Sequence, residues 1–158
     1  LHYKGGEEIH FVKVGKDFTL KQKKLVYDLK IENFVHYLGI ISDDDLNLTY
    51  NLSDVLVFPS LYEGFGWPPL EAMACGTPVI VSENTGAKDA VRDGLDGFIV
   101  PIMDVDRLKE KILFFYENRD KVEEMGINAS SDSKYYTWEE YRLKVRNAII
   151  QIWSGSQR

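Results

Sequence analysis

Two glutamates, Glu63 and Glu71, lie eight positions apart, separated by the turn Gly64-Phe65-Gly66 and a double proline. An ionised carboxylate only accepts hydrogen bonds, so it pairs with O–H donors such as the hydroxyls of a ribose or a sugar. Glycines allow the backbone to come close to a ligand. The residue types and their spacing therefore predict a site that binds a hydroxyl-rich ligand.

A strand and a helix must position this turn. The apolar run at residues 54–58 precedes it, and an alanine-rich segment ending at Cys75-Gly76 follows it. This order predicts strand, turn and helix, with Glu63 in the turn and Glu71 in the first helical turn. The start of a helix presents unpaired N–H groups and a positive dipole end, which bind anions such as phosphate. We therefore expect a phosphate beside the two carboxylates.

Apolar runs alternate with segments of helical spacing along the rest of the chain. Strands are predicted at residues 9–14, 34–38, 54–58, 78–81 and 98–100, the third of them buried. Helices are predicted at residues 19–31, 69–75 and 87–92, and after the N-caps Ser42 and Asp104. This alternation predicts an α/β fold with a doubly wound parallel sheet, in which ligands bind beyond the carboxyl ends of the strands.

Two helical stripes are interpreted as core or packing residues, not as parts of a cofactor site. They consist of Leu108, Ile112 and Phe115 in one helix, and of Trp138, Tyr141, Val145, Ala148, Ile149 and Ile152 in another.

Residues 59–79 resemble the C-terminal half of the retaining glycosyltransferases of the GT-B fold, family 4 or group 1. That family's pattern is Pro-Ser, Glu-Gly-Phe-Gly, Pro-Leu-Glu-Ala-Met-Ala and Gly-Thr-Pro-Val, and this stretch reproduces it almost without a gap. Weaker similarity at residues 34–39, 93–98 and 136–140 extends the resemblance over nearly the whole chain. It implies that residues 1–158 form the Rossmann-like nucleotide-sugar-binding domain, without its first strand–helix unit.

The resemblance implies a role for each glutamate. Glu71 would accept hydrogen bonds from the ribose of the donor, whereas its structural alternative is to stabilise the helix dipole. Glu63, the catalytic candidate, would contact a hydroxyl of the transferred sugar, and its alternative is a solvent-exposed loop acid. Neither glutamate is assigned as a nucleophile.

The same resemblance implies backbone contacts to the donor. Gly64-Phe65-Gly66 would cradle the sugar, and the diphosphate would meet the amides of Trp67, Leu70 and Glu71, because the intervening prolines have no N–H. Leu70 is the preferred diphosphate contact. Ile41 would form an apolar wall for the base, with an ordinary core position as the alternative.

Three departures from the family pattern bear on activity. The segment His2-Tyr3-Lys4-Gly5-Gly6 lacks the arginine–lysine pair that neutralises the diphosphate, and Asp89 stands where relatives often have a glutamate. The N-terminal acceptor-binding domain, the expected partner in the full-length protein, is also missing. We therefore expect the fragment alone to be inactive.

Composition restricts the remaining choices. The net charge of −6 argues against nucleic-acid binding, and the single cysteine excludes an internal disulfide. No spacing of metal ligands occurs, so we expect neither metal nor cofactor, only a UDP- or GDP-sugar as substrate. There is no membrane-spanning run and no signal peptide, which favours a cytoplasmic protein.

The first thirty residues are locally basic, with lysines at positions 13, 16, 21, 23, 24 and 30. They are interpreted either as a solvated helix face or as a surface that contacts an anionic membrane.

The sequence thus predicts the donor-binding half of a retaining hexosyltransferase, which moves a sugar from a nucleotide-sugar donor to an acceptor hydroxyl. Two alternatives stay open: an enzyme similar to glycogen or starch synthase, and a non-catalytic module that binds sugar nucleotides.

Overall fold

The computed structural model describes residues 9–155, which divide into one unit up to Leu46 and a second unit from Asn47 onward. The segment His2-Tyr3-Lys4-Gly5-Gly6, which lacks the expected arginine–lysine pair, lies outside the described residues.

The first unit is built on two parallel strands, β1 (Phe11–Val14) and β2 (Val35–Gly39). Helix α1 (Leu20–Asp28) and a 3₁₀ turn (Glu32–Phe34) connect them, as the predicted strand–helix–strand order requires. A capping box starts α1, because the Thr19 side chain accepts from the Gln22 amide while the Gln22 side chain accepts from the Thr19 amide. Helix α2 (Asp43–Leu52) follows, and its residues from Asn47 onward belong to the second unit. Its predicted N-cap is confirmed, because Ser42 Oγ accepts from the Asp45 amide at 3.2 Å.

The second unit contains a three-stranded parallel sheet in the order β3 (Leu56–Phe58), β4 (Val79–Ser82), β5 (Gly97–Val100). Helix α3 (Trp67–Ala74) connects β3 to β4, and a 3₁₀ helix (Gly86–Ala90) lies between β4 and β5. Helices α4 (Val105–Glu117), α5 (Arg119–Ser133) and α6 (Trp138–Gly155) complete the unit. Parallel strands connected through helices confirm the predicted α/β, Rossmann-like class.

The core of the second unit lies between the sheet and helices α4 and α5, and its buried cluster consists of Ile80, Phe98, Val100, Phe115 and Met125. The predicted apolar face of α4 is confirmed, since Leu108 and Ile112 pack against this cluster. The predicted cap is confirmed too, because Asp104 Oδ1 accepts from the Arg107 amide at 2.9 Å.

Three local predictions are corrected by the structure. Strand β3 is half-buried and not buried, because it lies at the edge of its sheet while β4 occupies the centre. The helix predicted at residues 87–92 is the short 3₁₀ helix Gly86–Ala90. Helix α5 was not predicted at all; its glycine, serines and charged residues give a weak apolar stripe.

The apolar stripe of α6 was interpreted as core or packing residues, and the structure contradicts the core interpretation within the described residues. The helical period is correct, but residues 141–154 are exposed along the whole stripe. Even Trp138, which contacts other rings, is 61% exposed. Periodicity identifies the apolar face of a helix but does not show what covers it.

Within residues 9–155, no helix is both long enough and apolar enough to cross a membrane.

Candidate functional site

The turn between β3 and α3 ends in a left-handed residue, Gly66, at a φ of 80°. This glycine is the N-cap of α3, which begins at Trp67 and not at residue 69 as predicted. No side chain caps this helix end, and its two prolines have no N–H. The first-turn amides that remain are those of Trp67 and Leu70, so the third predicted donor, the Glu71 amide, lies beyond the first turn. The anion contact itself stays a prediction.

Two glycines, Gly66 in the turn and Gly86 in the 3₁₀ helix beside it, leave little room for a side chain. A Cβ on Gly66 would lie 3.2 Å from Phe58 Cε1 and 3.3 Å from Glu63 Cγ. The amide of Gly86 donates to the carbonyl oxygen of Gly64 at 3.0 Å. A Cβ on Gly86 would overlap that oxygen and lie 2.9 Å from Phe65 Cα. The 3₁₀ helix after β4 therefore supports the turn from one side.

Glu63 lies in this turn, as predicted, and its side chain is exposed. Its Oε1 accepts a hydrogen bond from the adjacent Gly64 amide at 3.2 Å, which holds the carboxylate against the turn. The remaining carboxylate lone pairs are available to a ligand hydroxyl. The geometry is compatible with the predicted contact to a sugar, which stays a prediction.

Glu71 is exposed on α3, and its Oε2 accepts a hydrogen bond from the Tyr50 hydroxyl at 3.1 Å. The prediction that Glu71 lies in the first helical turn is wrong, because α3 begins two residues earlier than expected. The dipole effect falls off beyond the first turn, so stabilisation of the helix dipole by Glu71 is weaker than the sequence suggested.

Tyr50 is a site residue that the sequence did not reveal. Its ring is buried, and its carbonyl oxygen accepts from the Thr77 hydroxyl at 2.7 Å. Burial raises the pKa of the Tyr50 hydroxyl, and the charge of Glu71 and the hydrogen bond to it raise it further. Tyr50 therefore stays a donor at ordinary pH and fixes one oxygen of Glu71. Nothing local to position 50 indicates this role, because the partners are 21 residues apart.

The other predicted site residues differ in what they can offer. The side chain of Leu70 is buried, so only its amide is suited to a ligand contact, as its predicted role requires. Phe65 and Trp67 are 39% and 47% exposed, and their rings meet edge to face at 5.3 Å. Ile41 is half-buried and belongs to the first unit, so its contact with a base stays a prediction.

Asp89, which stands where relatives often have a glutamate, lies on the 3₁₀ helix, and its carbonyl oxygen accepts from Tyr136 Oη at 2.8 Å. Within residues 9–155, no group of three or more histidine, cysteine, aspartate or glutamate side chains is placed to hold a metal ion.

A family model described as glycosyl transferases group 1 matches residues 1–132. The O-antigen chain mannosyltransferase B of Escherichia coli is 35% identical over 117 residues, which is 74% of this chain and 30% of that protein. This chain therefore spans about a third of such a relative's length.

Solved structures resemble the chain over almost all of its length. Sucrose-phosphate synthase from Thermosynechococcus elongatus is 28% identical, with a TM-score of 0.78, over 91% of this chain and 38% of that one. The Anabaena protein HepE, in complex with UDP, is 25% identical, with a TM-score of 0.73, over 93% of this chain and 41% of that one. HepE has also been solved in complex with UDP-glucose.

Proposed function

The chain belongs to the group 1 glycosyl transferases, and we propose that it binds the nucleotide-sugar donor from which a hexose is transferred, with retention, to an acceptor hydroxyl. The observation that carries this proposal is the arrangement around α3. No side chain caps the start of α3, and two exposed carboxylates flank it in the sequence. Glu63 lies in the turn before it and Glu71 one turn into the helix.

Each part of a nucleotide sugar has a counterpart in this arrangement. The diphosphate would lie at the start of α3, where the amides of Trp67 and Leu70 meet its charge. Glu71, oriented by Tyr50, would accept from the ribose hydroxyls. Glu63 would accept from a hydroxyl of the sugar. The binding of UDP and UDP-glucose by HepE supports this class of ligand.

The catalytic contribution of the second unit would be stabilisation of the leaving group. Negative charge develops on the diphosphate as its bond to the sugar breaks, and fixed amides at a helix end stabilise that charge without reorganising. Glu63 would hold the sugar in orientation during this step. Neither glutamate needs to form a covalent intermediate in this scheme.

The acceptor side would come from a further domain of the same full-length protein. The chain covers only 30% of its mannosyltransferase relative, so most of such a protein lies outside it. The isolated chain would therefore bind a nucleoside diphosphate weakly and transfer no sugar.

Ion pairs in the lysine-rich segment of the first unit favour its interpretation as a solvated helix face over contact with a membrane. Lys23 pairs with Asp17 and Lys24 with Asp28, each at 2.6 Å, so carboxylates already neutralise part of the positive charge. An anionic surface would have to compete with these pairs.

A panel of ligands tests the proposed function. Melting temperatures of the chain would be measured with UDP, GDP, UDP-glucose, GDP-mannose and inorganic pyrophosphate. A ligand that binds only the folded state raises the melting temperature according to its concentration and affinity. We expect at least one nucleotide to raise it more than pyrophosphate does at equal concentration. A folded chain that responds to none of the nucleotides would contradict the proposal.

Full-length protein separates the alternatives. Transfer of a hexose identifies an enzyme, whereas tight donor binding without transfer in the presence of acceptor identifies a non-catalytic binding module.

A further inference from the structure

Two residues at or just before the start of helix α6 contact the elements beside the donor-binding turn, one of them α3 and the other the 3₁₀ helix. We name Tyr136 and Trp138 the clasp. Both belong to the second unit, as do the turn and the 3₁₀ helix beside it. The interpretation of Trp138 as an ordinary packing residue does not account for its exposure of 61%.

Trp138 reaches the turn through aromatic rings. Its ring centroid lies 5.4 Å from that of Trp67, at an interplanar angle of 36°. The ring of Trp67 in turn lies 5.3 Å from that of Phe65, which belongs to the glycine turn. Trp67 is also the first residue of α3, and its amide is one of the two that are proposed to donate hydrogen bonds to the diphosphate. The ring contact therefore bears directly on a residue whose backbone would touch the ligand.

Tyr136 reaches the turn through the 3₁₀ helix. Its hydroxyl donates to the carbonyl oxygen of Asp89 at 2.8 Å. The same 3₁₀ helix begins at Gly86, whose amide donates to Gly64 at 3.0 Å. Burial raises the pKa of Tyr136, and the charges of Asp132, Asp89 and Asp96 raise it further, so its hydroxyl remains a donor at neutral pH.

These contacts form a closed path around the turn. It runs from Gly64 through the 3₁₀ helix to Tyr136, then through Trp138 and Trp67 back to Phe65. We propose that the clasp positions the donor-binding turn, so that Tyr136 and Trp138 act on the donor through the backbone of residues 64–67. This role rests on the proposed function, and neither residue is assigned a contact with the substrate.

Substitutions on α6 itself test the clasp. Trp138→Leu removes the ring contact to Trp67, and Trp138→Phe keeps an aromatic ring in its place. Trp153→Leu is the matched control, because Trp153 lies on the same helix and is 73% exposed. Two quantities would be compared with the unmodified chain: amide hydrogen exchange in a peptide covering residues 86–91, whose Gly86 amide donates to the turn at Gly64, and the Kd for UDP by calorimetry.

We expect Trp138→Leu to accelerate exchange at residues 86–91 and to raise the Kd for UDP by roughly three- to tenfold, the range that one aromatic pair supports. Trp138→Phe should restore most of the exchange protection and of the UDP affinity, and Trp153→Leu should change neither. Unchanged exchange at residues 86–91 in Trp138→Leu would overturn the proposal. So would equal acceleration throughout the second unit, or a Trp138→Phe variant as impaired as Trp138→Leu.

Two further measurements keep the test decisive. If Trp138→Leu does not fold, Tyr136→Phe removes only the hydroxyl that binds Asp89, and faster exchange at residues 86–91 is then expected. Unchanged exchange there would overturn the clasp. If the unmodified chain binds no UDP or other nucleotide, the proposed function fails, but the exchange comparison without ligand still decides the clasp.

Discussion

The Tyr50 hydroxyl donates a hydrogen bond to Oε2 of Glu71 at 3.1 Å and thereby links α2 to α3. Tyr50 is buried whereas Glu71 is exposed, so a fixed donor holds one oxygen of a carboxylate that faces solvent. Such an arrangement orients the second oxygen for a ligand at a lower entropic cost than a free side chain would incur.

Tyr50→Phe removes only this hydroxyl. We expect weaker binding of UDP, by a factor of roughly three to ten, because a hydrogen bond of this kind contributes about 1 kcal/mol. Binding of pyrophosphate should not change, since that ligand has no ribose. Calorimetry with both ligands measures the difference, and equal losses for the two would mean that Tyr50 acts on the helix end and not on Glu71.

The hydrogen bond between Tyr50 and Glu71 should make the stability of the chain depend on pH in the alkaline range. The pKa of Tyr50 is raised in the folded state, so its contribution to stability is complete below its unfolded pKa of about 10. That contribution is lost as the pH rises from there through the folded-state pKa. Tyr50→Phe should therefore lose less stability than the unmodified chain between about pH 9 and 11. Equal losses of the free energy of unfolding in the variant and the unmodified chain over this pH range would contradict the assignment.

Glu71→Ala should weaken the binding of ribose-containing ligands with little effect on the fold, because the side chain is exposed. Charged hydrogen bonds to hydroxyls are worth about 1.5–3 kcal/mol, so the Kd for UDP or GDP should rise by at least tenfold. Pyrophosphate serves as the internal control. The ribose assignment is wrong if its affinity falls as much as that of the nucleotides.

Glu63→Gln separates three roles by three measurements. A contact to the transferred sugar predicts an unchanged Kd for UDP and a lower turnover in the full-length enzyme. A surface acid predicts no change in either quantity. A structural support for the turn, through the charged bond to the Gly64 amide that glutamine would weaken, predicts a lower UDP affinity together with a lower melting temperature. We expect the first pattern.

Gly86→Ala should destabilise the second unit, because the new methyl group would overlap the Gly64 carbonyl oxygen and approach Phe65 Cα. Overpacking of this kind typically costs about 1–3 kcal/mol. Gly64→Ala is the matched control for the fold, since a Cβ there meets no atom within 4 Å. Thermal unfolding of the two variants measures the contrast. A Gly86→Ala variant as stable as Gly64→Ala would show that the turn moves away from the 3₁₀ helix freely.

Local sequence determined the features that depend on residues near one another in the chain. The caps at Ser42 and Asp104 follow from side chains that reach an amide three positions on. The order of strand, glycine turn and helix around Glu63 follows from apolar runs and from glycine and proline. The start of α3 was misplaced by two residues because the double proline suggested a later start, although proline is accepted in the first helical turn.

Only the tertiary structure decided which distant residues support the turn. Tyr50 reaches Glu71, Gly86 reaches Gly64, and Trp138 reaches Trp67, each across an intervening strand or helix. Hydrophobic periodicity reports which face of an element is apolar, but it carries no information about the element on the other side. The same reason explains α6, whose stripe was recognised from its spacing while its exposure was not. The residue types and their order at residues 63–71 were therefore determined by the sequence alone. How these residues are held in place was decided by the packing of elements far apart in the chain.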